Sequence, residues 1–168
     1  MVSHVAKHTI SVMVENEFGV LTRVAGLFSG RGFNIESLSV APTLDDSISR
    51  MTIVTSGDDR ILEQITKQLN KLIDTIKVID FTDTEYVERE LALIKVLATD
   101  DTRAEILRIV DIFRGNVVDV TARSYTMEIT GAPGKIQAVV ELLKPIGIQE
   151  LVRSGPVVLG RGAKGWVG

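Results

Sequence analysis

The chain has no cysteine. That excludes disulfides, thiolate catalysis and zinc-thiolate sites together, and it fits a reducing compartment. Positive charge is not in excess either: 19 Lys and Arg stand against 22 Asp and Glu, for a net charge of −3. A nucleic-acid-binding chain carries a basic patch or stripe, so no nucleic-acid partner is expected. No segment reaches the roughly 20 apolar residues of a membrane span, and residues 1–7 lack the apolar core of a secretion signal. The expectation is a cytoplasmic protein without a membrane partner. What the chain does have is 45% hydrophobic residues over a length of 168, enough for one large core or two small ones.

Periodicity supplies the order of elements. Residues 9–14 alternate as a strand, residues 20–29 carry apolar groups at helical spacing, and residues 34–40 alternate again. Asp45, Asp46 and Ser47 then form a turn. Residues 49–55 give a third strand. Residues 60–73 give a long amphipathic helix with Ile61, Ile65, Leu69, Leu72 and Ile73 on one side, and residues 76–81 a fourth strand. This is a βαββαβ order, an α+β sandwich with helices on one sheet face. The acidic stretch 83–90 breaks the pattern and is taken as a linker between a domain at 1–82 and another at 91–159. In the second half, residues 91–97, 116–121, 125–130 and 148–152 read as strands. Residues 102–113, with Ile106, Ile109, Val110 and Phe113 inward, and residues 134–143 read as helices. Asp101-Thr102 leads into one helix and Pro133 sits near the first turn of the other, as caps and first turns favour. Residues 160–168 (GRGAKGWVG) lack the Ser/Thr and following helix of a phosphate loop, and are expected to be a flexible tail carrying Trp166.

The most informative stretch is 15–40. Gly19 follows a strand and opens the helix bearing Val20, Leu21, Val24, Leu27 and Phe28. A helix N-terminus there offers free backbone N–H groups and a positive dipole end to a carboxylate. Asn34 follows the Gly30-Arg31-Gly32 break and brings an amide with both donor and acceptor. The pair suits a small zwitterion. Plainer roles stand beside each residue: Gly19 as relief for a tight turn, Asn34 as a local cap, Asn16 and Glu17 as turn residues, and Val20, Leu21 and Ile35 as core. His4 and His8 are four apart but flank the start of a strand without a carboxylate cluster, which argues against a metal. The pairs Asp45-Asp46 and Asp100-Asp101 fit solvated turns and caps better than acid/base chemistry.

These residues, read with Asn34-Ile-Glu-Ser-Leu-Ser-Val-Ala-Pro-Thr, Ser49-Arg-Met-Thr-Ile and Leu62-Glu-Gln-Ile-Thr-Lys-Gln-Leu-Asn-Lys-Leu, resemble an ACT domain of one kind. It is that of the regulatory (small) subunit of acetohydroxyacid synthase, also called acetolactate synthase. The likeness continues through Val87-Glu-Arg-Glu-Leu, Ile112-Phe-Arg-Gly and Arg153-Ser-Gly, so it covers nearly the whole chain. The resemblance implies a ferredoxin-like ACT domain followed by a C-terminal α+β domain. It implies a non-catalytic subunit that activates a separate catalytic (large) subunit and confers feedback inhibition by L-valine in branched-chain amino-acid synthesis. Thiamine diphosphate, Mg²⁺ and FAD are then expected on the catalytic partner, with no cofactor on this chain. The ACT domains are expected to form a homodimer. Gly19, Val20 and Leu21 would bind the valine carboxylate, Asn34 of the other protomer, with Asn16 nearby, the ammonium, and Ile35 would face the isopropyl group. Phe18 departs from the family, which often has Pro or a small residue in its place. The rivals are a free-standing ACT amino-acid sensor acting on a signalling or transcription partner, and a small enzyme. The first lacks a helix-turn-helix or basic patch, the second an acid/base dyad, cysteine or metal cluster.

Overall fold

The structure, a computed structural model, describes residues 6–163 and residue 165. The chain folds as two units, with boundaries between Val87 and Glu88 and again between Val157 and Val158. The first unit contains β1 (Ala6–Glu15), α1 (Val20–Gly30), β2 (Ile35–Pro42), β3 (Ile48–Gly57), α2 (Asp59–Lys71) and β4 (Thr75–Asp80). Its four strands lie in the order β2-β3-β1-β4, with every neighbour antiparallel. This is the ferredoxin-like βαββαβ arrangement expected from the sequence.

Alternation decides the faces. Ile10, Val12 and Val14 of β1 meet Met51 and Ile53 of β3 on the side covered by Val20, Val24 and Phe28 of α1 and Leu62, Ile65 and Leu69 of α2. The α1 residues recur every four positions, which puts them on one stripe of the helix. Each such side chain, fully buried, contributes about 1.5–3 kcal/mol relative to exposure. The α1 helix ends where Phe33 N–H reaches back to Phe28 O (2.9 Å) around Gly32 at φ +70°, a turn that closes helices with a left-handed residue. In α2, Asp58 caps the start by accepting from Ile61 N–H at 2.9 Å.

Three boundaries differ from the sequence reading. The α2 helix stops at Lys71, Leu72 is extended, and Ile73, expected on the inward side, is 93% exposed. The chain turns there so that Thr75 N–H can reach Leu72 O (3.1 Å) and β4 can begin. The acidic segment expected to separate the domains is already strand from Tyr86 onward. Glu90 does not break that strand because Arg153 neutralises it with a two-point contact, at 2.7 and 2.9 Å. Asn34 lies just before β2 rather than within it.

The second unit repeats the order with β5 (Tyr86–Leu97), α3 (Arg103–Ile112), β6 (Asn116–Val120), β7 (Ser124–Gly131), α4 (Pro133–Leu143) and β8 (Ile148–Arg153). Its sheet runs β6-β7-β5-β8, with β9 (Val157–Gly160) also pairing with β5. Ile94 and Val96 pack with Met127 and Ile129 under Ile106, Ile109 and Val110 of α3 and Ile136, Val139 and Leu143 of α4. Phe113 packs on the edge of this core as the C-cap of α3. The α3 end copies that of α1: Gly115 N–H bonds Val110 O at 2.8 Å, with Arg114 rather than glycine at positive φ (53°). Val158 to Arg161 return to the first unit, where Arg161 N–H bonds Glu85 O at 2.9 Å. Trp166 lies outside the described residues. No helix among the described residues is long and apolar enough to cross a membrane.

Candidate functional site

The end of β1 delivers the chain into a four-residue loop, residues 16–19, and then into α1. Gly19 is the N-cap, at φ 84° and ψ −6°. That left-handed conformation costs an L-residue about 1–2 kcal/mol, and a Cβ on Gly19 would stand 3.0 Å from Arg23 Nη1. The turn itself therefore favours glycine. No side chain caps α1 and its first turn holds no acid. The contrast is α2, which is capped by Asp58 and carries Asp59 in its first turn. The start of α1 thus has no capping side chain and no acid on the helix itself, with Val20 N–H reaching Glu17 O at 3.4 Å and the positive dipole end directed at the loop.

The six residues expected to bind a ligand fall into two groups. Asn16, Gly19, Val20 and Leu21 lie together at the α1 start. Val20 is buried in the first core, whereas Leu21 is 46% exposed and open to a ligand or partner. Asn16 is tied to the β2–β3 turn: its side-chain N–H donates to Asp46 O (2.8 Å) and its backbone N–H to Ser47 O (2.7 Å). Asn34 and Ile35 lie at the other end of α1, a helix of 11 residues, about 16 Å long. Asn34 is exposed and its carbonyl accepts from Thr55 Oγ1 at 2.6 Å, while Ile35 packs partly on the core. Within one chain, Asn34 and Gly19 do not share a site.

Arg23, one turn into α1, joins this site without any local sequence signal. Its Nε and Nη2 donate to Asp74 Oδ2 and Oδ1 at 2.7 and 3.1 Å. The Asp74 backbone carbonyl also accepts from Glu15 N–H (2.9 Å), so the pair ties α1, β1 and the loop before β4 together. The hydrogen bonds and charge of Arg23 hold the Asp74 carboxyl below its ordinary range, and Asp74 raises Arg23 in turn. Glu15, Glu17 and Asp74 have carboxylate oxygens within 4.8 Å of one another. Both oxygens of Asp74 are already engaged by Arg23, which leaves two exposed acids and no built cation cage.

The other titratable candidates have structural roles. His8 is buried, with Nε2 3.1 Å from Gly57 O and Nδ1 3.3 Å from Thr82 Oγ1; His4 lies outside the described residues. Asp45 Oδ1 accepts from Ser47 N–H and Oγ–H at 2.9 and 2.6 Å, closing a turn. Asp100 pairs with Arg103 at 2.9 Å beside the start of α3.

Comparison with known proteins covers both units. Residues 10–77 match the family described as the AHAS small subunit-like ACT domain, and residues 89–162 that described as the small subunit of acetolactate synthase. The acetolactate synthase small subunit of Aquifex aeolicus is 56% identical over 94% of this chain and 82% of its own length. A probable acetolactate synthase small subunit of Archaeoglobus fulgidus is 54% identical over 94% of this chain and 99% of its own. The crystal structure of the Thermotoga maritima acetolactate synthase small subunit superposes with a TM-score of 0.86 at 40% identity, covering 95% of this chain and 99% of that one. The chain belongs to the acetolactate synthase small-subunit family.

Proposed function

We propose that this protein is a non-catalytic regulatory subunit that binds the catalytic large subunit of acetolactate synthase, raises its activity and makes it sensitive to L-valine. Thiamine diphosphate, Mg²⁺ and FAD belong to that catalytic partner. The observation that carries the ligand reading is the start of α1, headed by Gly19 at φ 84° with no capping side chain and no acid in its first turn. Such a terminus takes a carboxylate without a charged side chain.

The position of Asn34 supports a site shared by two copies. The β2 strand is an edge of the first sheet, and an unpaired edge is satisfied by a second copy. A two-fold axis normal to the sheet would run the two β2 strands antiparallel. Asn34 precedes β2, and α1 starts where β2 ends, because β1 and β2 both run opposite to β3. The axis therefore carries the partner's Asn34 to the end of the sheet where α1 begins, and returns this chain's Asn34 to the other copy. Gly19, Val20 and Leu21 then hold the carboxylate, the partner's Asn34 and the nearby Asn16 the ammonium, and Ile35 the isopropyl group. Because the ligand spans the seam, it favours one arrangement of the two copies, and that differential affinity is what a bound catalytic subunit reads.

Reconstitution tests the proposal. The large subunit from the same organism is assayed for acetolactate formation alone, with this chain, and with this chain plus L-valine. Activation by the chain and its reversal by valine are expected. No change in activity, or activation that valine does not touch, would overturn the corresponding half of the reading.

A further inference from the structure

Three large apolar side chains of the first unit are almost wholly exposed, where they gain nothing for its own fold. Phe18 is 102% exposed, Leu44 93% and Ile73 93%. They stand on three different loops: Phe18 between β1 and α1, Leu44 between β2 and β3, and Ile73 between α2 and β4. All three loops lie at one end of the sheet, because β1 and β2 finish there and β3 and β4 begin there. Three strand spacings separate the outermost strands, β2 and β4, which is about 14 Å.

The loops are also braced against one another. Asn16 holds the Leu44 turn through Asp46 O and Ser47 O, at 2.8 and 2.7 Å. Glu15 N–H holds the Ile73 loop through Asp74 O at 2.9 Å. Isolated exposed apolar residues are ordinary, but three of them on a braced platform form the kind of anchor set that interfaces use. Between Phe18 and Leu44 the rim is acidic, with Glu17, Asp45 and Asp46 exposed, and Lys71 and Lys77 flank Ile73 alone.

We propose that this loop end, anchored by Phe18, Leu44 and Ile73, is the surface of the first unit that docks the catalytic large subunit, against an apolar patch with a basic rim. Two arguments select that occupant. A second copy meeting this end about a two-fold centred on Phe18 and Leu44 would set Glu17, Asp45 and Asp46 against their own counterparts, which is repulsive. Phe18 also adjoins Gly19, so a chain bound here touches the loop whose conformation the ligand fixes. The large subunit is the chain whose activity must respond. This inference rests on the regulatory role proposed above.

The test is equilibrium and kinetic binding of the full chain to the immobilised large subunit of the same organism. The compared proteins are wild type, the triple variant Phe18→Ser/Leu44→Ser/Ile73→Ser, the charge variant Glu17→Lys/Asp46→Lys, and the control Leu93→Ser/Val152→Ser. The control alters apolar residues, 40% and 54% exposed, that face each other on β5 and β8. Thermal melts verify that each variant folds. The triple variant should weaken binding by about 100-fold and the control by less than about twofold. The charge variant should slow association, most at low salt. A triple variant and a charge variant that both bind like wild type overturn the docking surface and leave the regulatory role standing. Wild-type protein that does not bind the large subunit overturns both.

Discussion

Arg23 grips both carboxylate oxygens of Asp74, 51 residues away, at 2.7 and 3.1 Å. The Asp74 side chain is almost buried, while half of Arg23 faces solvent. The contact fixes the first turn of α1 relative to the loop before β4, and Arg23 Nη1 fills the space a side chain on Gly19 would need.

This pairing gives the protein an acid-sensitive joint. Asp74 has a folded-state pKa below its unfolded value of about 3.9, with the hydrogen bond from Arg23 as the main cause. Its contribution to stability is therefore complete above the unfolded value and is lost as pH falls through the folded one. Denaturant unfolding from pH 7 downward should show Asp74→Asn less stable than wild type at neutral pH. The two should converge once pH drops below both pKa values. A constant gap across that range would contradict the assignment.

Gly19 carries two separable demands. Gly19→Ala should cost about 1 kcal/mol of folding stability from the left-handed backbone alone, read from denaturant melts. Gly19→Asp adds a negative charge at the helix start and should lower valine affinity by about tenfold or more beyond the alanine variant. Calorimetric titration of folded Ala and Asp variants separates the two, and equal affinities would remove the carboxylate from this helix start.

Arg114 occupies at the end of α3 the place that Gly32 occupies at the end of α1, with φ of 53° and 70°. Relief of left-handed strain favours glycine there, and the greater freedom of glycine in the unfolded chain offsets part of the gain. Arg114→Gly should stabilise the protein by about 0.5 kcal/mol, seen as a raised denaturation midpoint.

In the second unit, Glu90 has only 2% of its side chain exposed and is held by Arg153, at 35%. Arg153→Met leaves the buried Glu90 side chain without its partner. That should cost about 2–3 kcal/mol, less than a fully buried pair because Arg153 is partly solvated. A double-mutant cycle with Glu90→Gln should return much of that loss.

The βαββαβ order of both units was legible from periodicity, since Val20, Val24 and Phe28 or Ile94 and Val96 announce their faces locally, whereas β9 was not foreseen and runs across the expected start of the tail at residue 160. Boundaries set by distant partners were not. Nothing near Glu90 in sequence says that Arg153, 63 residues on, would keep an acidic stretch in a strand. Arg23 was equally hidden, because Asp74 meets it only once β4 is in place. Gly19 was legible as a helix opener, and its left-handed conformation agrees. Asn34 was legible as a polar residue entering a strand, but only the parallel course of β1 and β2 reveals that it lies a helix length from Gly19. Of the anchor residues, Phe18 stood out only as a departure from the family, and Ile73 read as core because the apolar pattern of α2 outlasts the helix.

In the proposed function, the start of α1 recognises an amino acid through a site completed by a second copy. Isothermal titration of the purified chain with L-valine tests it most directly, with D-valine and L-lysine as controls. Stereoselective heat at one site per protomer is expected, with affinity lowered by about tenfold or more in Gly19→Asp and also lowered in Asn34→Ala. No heat from L-valine, or equal heat from D-valine, both in the free chain and in its assembly with the large subunit, would contradict it.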